Sequence, residues 1–220
     1  MKPRCSNQRN QAFTLVELLV VIGVLMILFT MIDFETSPNA KRMAQRINCV
    51  NNLKQVGIAY GLWAEDNNGK YPMQVSTTNG GSMELVAKGE NVWINFLVMS
   101  NEVSTPKILY CTADADRVCA TNFSSDLNGK ISYFVGLDAN TNSSETFLSG
   151  DDNLSIGGDQ VKSGLLELST NAPISWTAAR HKFAGNIGLA DGSVQQATSS
   201  YLRQSLLPQT GLATNRLAIP

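Results

Sequence analysis

His181 is the only histidine of the chain and the residue type best suited to acid–base chemistry near neutral pH. Asp191 follows it after an interval of nine residues, and Ser193 lies two positions further on. A histidine, a carboxylate and a serine that converge in one pocket could form the machinery of a hydrolase. However, the pair Asp191-Gly192 is typical of a tight turn, which explains these residues without catalysis. We therefore predict no enzyme activity and interpret His181 as a structural residue that hydrogen-bonds backbone and fixes the approach to a hairpin.

Three acidic pairs could supply the oxygen ligands that calcium prefers. They are Glu65 with Asp66, Asp114 with Asp116, and Asp151 with Asp152. None fits the twelve-residue loop of an EF-hand, and Asp66 is explained by the end of a helix. Asp151 and Asp152 are kept as weak calcium candidates, and no other cofactor is expected. A zinc site is not predicted, because the spacing of Cys111, Cys119 and His181 does not resemble a zinc module.

The N-terminal region combines a basic leader with a long apolar run. Phe13 to Ile32 would extend roughly 30 Å as a helix, which is the thickness of a bilayer core. The leader carries Lys2, Arg4 and Arg9 and no acidic residue, so we expect it to stay cytoplasmic. A conventional signal peptide would need a small-x-small cleavage site after the run, and none is present. A plain membrane anchor remains a further alternative.

A single carboxylate interrupts the apolar run, and its position carries a family resemblance. Phe13 to Glu17 reads Phe-Thr-Leu-Val-Glu and resembles the N-terminal segment of type IV pilins and type II secretion pseudopilins. The resemblance implies that a prepilin peptidase cleaves between Ala12 and Phe13 and methylates the new amine. It also implies that Glu17 neutralises the amine of a neighbouring subunit in a filament. The departure is Ala12, where the family usually has glycine.

Further segments extend the resemblance beyond the leader. They are Cys49 to Gly57, Glu65 to Pro72, Ile108 to Asp114, and Arg180 to Gly192. Together they are similar to a prepilin-like family whose C-terminal region carries a His-x9-Asp-Gly motif, here His181, Asp191 and Gly192. Thr112 replaces the proline that commonly follows the cysteine of the Ile108 segment.

Removal of the leader takes Cys5 away and leaves three cysteines in a compartment expected to be oxidising. We predict one disulfide and one remaining thiol. Cys111 and Cys119 would close a short local loop, whereas Cys49 and Cys111 would tie a helix to the globular part. The sequence does not choose between these pairings.

Composition limits the classes of function. The chain has 17 basic and 18 acidic residues, and loss of the leader removes three of the basic ones. The resulting net charge of −4, together with three dispersed tryptophans, gives no basic groove and no stacking platform for nucleic acid. With 220 residues, the length suits a single exported domain behind the N-terminal helix.

The elements that must position these residues follow from periodicity. An apolar stripe predicts an amphipathic helix from Ala40 to Asp66, preceded by a bend at residues 33–39 and stopped at Gly69. The stripe consists of Met43, Ile47, Val50, Leu53, Val56, Tyr60 and Trp63. Residues 140–159 are polar and predict an exposed loop. Alternation around Asp191-Gly192 predicts a hairpin with a two-residue turn.

The sequence thus predicts an α+β, pilin-like fold in which a long helix packs on a small antiparallel sheet. The divisions are a leader at 1–12, a transmembrane and filament-core helix at 13–32, an amphipathic helix and turn at 33–72, and a β-rich domain at 73–220.

We expect a pseudopilin-like subunit of a type II secretion or type IV pilus-like filament in a bacterial inner membrane, with its C-terminal domain periplasmic or extracellular. Its partners would be itself, other pilin-like subunits, the prepilin peptidase, the assembly platform and membrane lipid. The alternative is a membrane-tethered binding or display protein that does not polymerise.

Overall fold

The computed structural model describes residues 13–32 and 38–220. The chain divides into two compact units, Met1–Lys41 and Arg42–Pro220. Helix α1 spans Leu15–Ile32, and helix α2 spans Pro38–Asp66. The leader, including Ala12, and most of the predicted bend lie outside the described residues.

Helix α1 carries apolar side chains on all sides. Every residue from 13 to 30 is exposed, and the exposed fraction of the large apolar side chains of α1 runs from 45% at Ile22 to 78% at Leu15. A helix that is apolar all round is normally covered by other apolar material.

A membrane crossing requires a helix that is both long and apolar. Among the helices of residues 13–32 and 38–220, none is long and apolar enough to span a bilayer.

Helix α2 buries one face in the core of the second unit. Leu53, Val56 and Tyr60 are at most 1% exposed, as the apolar stripe predicted. The start of that stripe was wrong, because Met43 and Ile47 are 68% and 46% exposed. The predicted steps average fewer than 3.6 residues, so the stripe winds around the helix and leaves the core face at its N-terminal end.

The end of α2 agrees with the predicted stop. Asn68 and Gly69 both have positive φ angles, 56° and 71°. The N–H of Gly69 donates to the carbonyl of Ala64, which satisfies one of the unpaired carbonyls at the helix end. Glycine tolerates this left-handed conformation because it has no Cβ.

Short helices follow α2, in the first part of the region 73–220 for which the sequence predicts a β-rich domain of short strands or single helical turns. The α-helices are α3 Met83–Val86, α4 Val92–Val98 and α5 Ser100–Val103, and the 3-10 helices are Pro72–Gln74, Thr77–Asn79, Pro106–Leu109 and Ser125–Leu127. Prolines occupy the first position of two 3-10 helices, and the side chains of Ser76, Thr105 and Ser124 cap three of them. These local signals favour helical turns over strands.

The second half of the domain forms two antiparallel sheets. Its strands are β1 Tyr133–Gly136, β2 Phe147–Asp151, β3 Leu154–Ile156, β4 Asp159–Gln160, β5 Gly164–Ser169, β6 Ile174–Trp176, β7 Ala184–Leu189, β8 Val194–Thr198 and β9 Thr214–Ile219. The larger sheet has the order β5-β9-β1-β2-β7-β8, and the smaller has the order β4-β3-β6. Between β8 and β9 lie α6 Ser199–Tyr201, the π-helix Leu202–Leu206 and α7 Leu207–Gln209.

The central strands β1, β2 and β7 of the larger sheet are buried on both faces. On β1, Tyr133 and Val135 join the core that contains α2, whereas Phe134 points to a second core with Trp176 and Leu217. This alternation follows from the two-residue repeat of a strand. The fold is therefore α+β, with α2 packed on an antiparallel sheet, and it is consistent with a pilin-like architecture.

The exposed loop predicted at residues 140–159 was wrong over its second half. Strand β2 lies inside the larger sheet between β1 and β7, and all five of its residues are buried. Serine, glycine and aspartate made this segment look like a loop. Polar side chains of this segment instead find partners inside the domain; Ser149 Oγ, for example, donates to the carbonyl of Phe134.

The hairpin around Asp191-Gly192 is confirmed, but its turn is longer than predicted. Strands β7 and β8 pair with Gly188 opposite Val194. The N–H of Gly192 donates to Leu189, and the N–H of Leu189 donates to Ser193. The turn therefore uses three residues, with Gly192 at φ +81° in the left-handed position that such a turn requires.

Candidate functional site

A disulfide joins helix α2 to the segment that follows the 3-10 helix Pro106–Leu109. Cys49 pairs with Cys111 across a Cα–Cα distance of 5.4 Å, and both residues are fully buried. This is one of the two pairings that the sequence left open. Cys119 is a free, half-buried thiol.

His181 lies against this disulfide. Its Nε2 atom is 3.4 Å from Cys111 Sγ and 3.5 Å from Asp151 Oδ2, and its side chain is 2% exposed. The sequence predicts backbone partners for the His181 side chain. The two neighbours that the structure shows are instead a sulfur and a carboxylate. The next two residues, Lys182 and Phe183, have positive φ angles of 52° and 59°, which turn the chain back toward β7. We call Cys49, Cys111, Asp151 and His181 the disulfide cluster.

Asp151 is held at the end of β2 by the neighbouring strand. Both the backbone N–H and the Nδ2 group of Asn186 donate to its Oδ2, at 2.8 and 2.9 Å. Complete burial raises the pKa of Asp151 to about 7, although Arg180 opposes the shift. Burial also lowers the pKa of His181 to about 4, aided by Arg46 and Arg180. Both side chains are therefore mainly uncharged between about pH 4 and 7.

A second group of buried charges lies beside the disulfide cluster, and we call it the arginine–aspartate cluster. Arg180 Nη2 contacts Asp114 Oδ2 at 2.8 Å and also pairs with Asp152. Arg117 Nη1 contacts the same two carboxylates at 3.1 and 2.7 Å. The Oγ of Ser132 also donates to Asp114, at 2.8 Å. Burial acts to raise the pKa of Asp114, but Arg180, Ser132 and Arg117 outweigh it and hold that pKa below its usual value.

The calcium candidates Asp151 and Asp152 are adjacent in sequence but have different surroundings. Asp152 is bridged by two guanidinium groups, which take the place that a hard cation would occupy. Asp151 faces His181 and Asn186. The two carboxylates therefore do not form a shared oxygen-rich cage in this structure.

Asp191 does not join His181. Its Oδ1 accepts the N–H of Ser193 at 2.8 Å, which is the turn-forming role that the sequence indicated. Gly192 instead approaches α2, since a Cβ on Gly57 would lie 3.3 Å from its Cα. The hydroxyl of Tyr71 also donates to the carbonyl of Ala190 at 2.8 Å. The hairpin thus packs on α2 through a close backbone contact.

The segments quoted for the C-terminal resemblance therefore meet in the fold. Cys49 and Gly57 come from the first, Cys111 comes from the Ile108 segment, and His181 and Gly192 come from the last. Sequence reasoning missed Arg117, Arg180, Asn186 and Gly57 as members of these contacts. Arg180 could have been recognised from the sequence, because it directly precedes His181 and because a buried pair of carboxylates requires a cation.

At the other end of the chain, Thr14 and Glu17 form a capping box at the start of α1. The N–H and hydroxyl of Thr14 donate to Glu17 Oε2 at 2.9 and 2.7 Å, and the N–H of Glu17 donates back to Thr14 Oγ1 at 3.3 Å. The local arrangement gives Glu17 a partner within its own chain. Phe13 is 71% exposed immediately before it.

Comparison with known proteins identifies the N-terminal segment. Residues 7–32 match the family model described as the prokaryotic N-terminal methylation motif. No curated protein and no solved structure gave a significant match. The match ends before the disulfide cluster, so the His-x9-Asp-Gly resemblance stays an interpretation. Residues 7–32 therefore carry a prepilin-type cleavage and methylation segment, which supports a prepilin of the type IV pilin or pseudopilin type.

Proposed function

We propose that the chain is a non-enzymatic, pseudopilin-like structural subunit of a type II secretion or type IV pilus-like filament. The observation that carries this proposal is the N-terminal methylation motif at residues 7–32. In this proposal a prepilin peptidase cleaves between Ala12 and Phe13, and the N-terminal segment anchors the subunit in the inner membrane before assembly. The domain beyond residue 41 then lies outside the cytoplasm, where the Cys49–Cys111 disulfide is stable.

The exposure of α1 supports assembly. Its apolar side chains need a cover of similar chemistry, which lipid provides before assembly and neighbouring copies of the helix provide after it. Exchange of one apolar environment for another costs little free energy of transfer. Packing between helices can therefore decide the outcome.

Helix α2 supports assembly through its outer side. Met43 and Ile47 form one exposed apolar pair, and Ile58 and Leu62 form another, at 61% and 47% exposure. At 3.6 residues per turn, these positions fall within about 100° of each other, on the side opposite the buried face. This outer stripe is where we expect neighbouring subunits to contact the domain.

The first test is the N-terminal mass of the membrane-extracted protein, from cells with and without prepilin peptidase. The proposal expects a chain that begins at N-methyl-Phe13 and appears only when the peptidase is present. A chain that keeps residue 1 in both strains would contradict it, and so would a chain that begins beyond residue 32.

The second test separates the charge of Glu17 from its capping role. Glu17→Ala removes both, whereas Glu17→Gln keeps a capping box, because glutamine serves at this position. If Glu17 neutralises a neighbouring amine, both variants should insert normally and fail to form crosslinks between α1 helices. Glu90→Ala, at an exposed position of the domain, is the control and should crosslink like the wild type. Normal crosslinking by Glu17→Gln would contradict charge neutralisation and would leave helix capping as the role of Glu17.

The third test addresses the outer stripe of α2. Ile58→Asp should fold normally and reduce incorporation into filaments, because it places a charge in the expected interface. Val118→Asp is a matched control, since Val118 is also β-branched and 65% exposed but lies away from α2 in sequence and off the stripe. Equal incorporation of the two variants would exclude the stripe as an assembly surface. A wild-type chain that gives no crosslinks between α1 helices and is not incorporated into filaments would instead favour the display protein.

A further inference from the structure

The disulfide cluster gathers three potential metal ligands from distant parts of the sequence. The sulfur atoms of Cys49 and Cys111 and a ring nitrogen of His181 all lie within 4.8 Å of one another. Both cysteines are fully buried, and the histidine side chain is 2% exposed. Among the described residues, this is the group of cysteine, histidine and acidic side chains close enough to hold a metal ion.

We propose that the reduced form of the protein binds a thiophilic divalent cation, zinc in the first place, through Cys49, Cys111 and His181. The disulfide and the metal site are then alternative states of the same residues. The spacing argument from the sequence missed this site, because it considered Cys111, Cys119 and His181 and left out Cys49.

The distances are close to those of a tetrahedral zinc site. With Zn–S near 2.3 Å and Zn–N near 2.05 Å, tetrahedral geometry separates two sulfurs by roughly 3.8 Å and a sulfur from a nitrogen by roughly 3.6 Å. His181 Nε2 is already 3.4 Å from Cys111 Sγ. Once the disulfide is reduced, the two sulfurs need to separate by less than 2 Å, which rotations of the two side chains can supply. The Cα–Cα distance of 5.4 Å does not need to change.

Asp151 supplies an independent indication that this place suits a cation. It is completely buried, and its Oδ1 atom has no hydrogen-bond partner. Its Oδ2 atom lies 3.5 Å from His181 Nε2, close to the roughly 3.4 Å between nitrogen and oxygen ligands of one zinc ion. Asn186 fixes the carboxylate through two hydrogen bonds, as residues behind metal ligands do. Asp151 is therefore the nearest candidate for the fourth ligand.

The chemistry requires a reductant, and a dithiol is sufficient. The dithiol transfers two electrons and two protons to the Cys49–Cys111 bond, which yields two thiols and an oxidised dithiol. Zinc then displaces the two thiol protons and binds two thiolates and one neutral imidazole. Two thiolates balance the charge of the cation, so the buried site is neutral before Asp151 is counted. Reoxidation joins the sulfurs again and releases the metal.

The experiment uses the full chain in detergent, with Cys5→Ser and Cys119→Ser, so that only the cluster cysteines remain. The protein is reduced with a phosphine, which competes weakly for metal, and is titrated with Co²⁺. We expect equimolar binding with thiolate-to-cobalt charge transfer and the intense visible bands of a tetrahedral site. Zinc should abolish both signals and protect Cys49 and Cys111 from alkylation. The oxidised protein should show neither absorption.

His181→Ala in the same background tests the histidine ligand. Its affinity for zinc should fall by more than about 10-fold, since loss of a residue behind a ligand already costs 10–100-fold. Ser193→Ala, in the turn of the same motif, is the control and should bind like the parent. Absence of cobalt absorption in the reduced parent chain overturns the proposal, whether or not that chain keeps its fold. Equal affinity of His181→Ala and the parent overturns it as well, because it would mean that the two thiols bind metal non-specifically.

Discussion

The N-terminal segment and the disulfide cluster differ in the environment that their side chains require. Helix α1 exposes apolar side chains on all sides and places one carboxylate, Glu17, at its first turn. The disulfide cluster buries a carboxylate and an imidazole completely or nearly so, among strands and a helix. The first arrangement needs an apolar environment from outside the chain. The second supplies a polar environment from within it.

This difference explains why the two regions should respond differently to mutation. In the proposed assembly, each side chain of α1 acts through its local position and through neighbouring subunits, so substitutions should affect assembly more than the stability of the domain. In the two clusters, each polar group depends on partners far away in sequence. Loss of one partner leaves the remaining polar groups buried without a hydrogen bond or counter-charge. The free energy of unfolding should therefore fall.

The largest effect should come from removal of the disulfide. Cys49→Ala with Cys111→Ala opens a loop of 62 residues, for which chain entropy predicts a loss of about 4 kcal/mol. Denaturant unfolding of the full chain in detergent measures the loss. Cys119→Ala should change stability by much less, because Cys119 is not in the crosslink. Similar losses in the two variants would mean that the crosslink itself contributes little.

Arg180→Met should be nearly as severe. It leaves Asp114 and Asp152 buried with one guanidinium fewer, which costs about 3 kcal/mol or more. The loss should shrink in acid, where the two carboxylates become neutral. Arg216→Met is the matched control, because Arg216 pairs with Asp138 but is 49% exposed, and exposed pairs contribute about 0–1 kcal/mol. Equal losses at the two arginines would remove the distinction between buried and exposed charges.

The pH dependence of stability should separate Asp151 from His181. The pKa of Asp151 is raised from 3.8 to about 7 in the folded state, so its contribution to stability falls as pH rises from about 4 to 7. The pKa of His181 is lowered from 6.5 to about 4, so its contribution rises with pH from about 4 to 6.5. The two slopes oppose each other, and neither can exceed about 1.4 kcal/mol per pH unit.

Single substitutions should reveal these slopes. Asp151→Asn should become more stable relative to the wild type as pH rises from 4 to 6.5, whereas His181→Gln should become less stable. Unfolding at several pH values with identical buffers measures both, and titration of all other groups cancels in the comparison. Parallel curves for the two variants would contradict the assignment of a neutral pair.

The smallest effect should distinguish two glycines on the same helix. Gly61→Ala should stabilise the protein by about 0.5–1 kcal/mol, because alanine favours a helix and nothing lies within 4 Å of the new Cβ. Gly57→Ala gains the same propensity but presses on Gly192 at 3.3 Å, so we expect a net loss of about 1 kcal/mol. Thermal unfolding of the two variants would compare them directly. A gain at both positions would mean that the hairpin can move away from α2.

The sequence by itself determined the features that depend on neighbours along the chain. The Phe13 to Glu17 pattern was readable because processing motifs and capping boxes are local. The stop of α2 at Gly69 and the hairpin at Gly192 were predicted for the same reason, since both rest on the backbone freedom of glycine. Periodicity also identified the buried face of α2, apart from its N-terminal end, where the predicted stripe departed from 3.6 residues per turn.

Only the tertiary structure decided which distant residues meet. The sequence did not choose between Cys49 and Cys119 as the partner of Cys111, because either loop could close. It placed β2 in a loop, because polar residues look solvent-exposed until their buried partners are known. The sequence predicted a backbone contact for His181, whereas the fold places a sulfur and a carboxylate beside this side chain. The reason is general: burial and hydrogen bonding between residues tens of positions apart are properties of packing, and packing cannot be read from a local pattern.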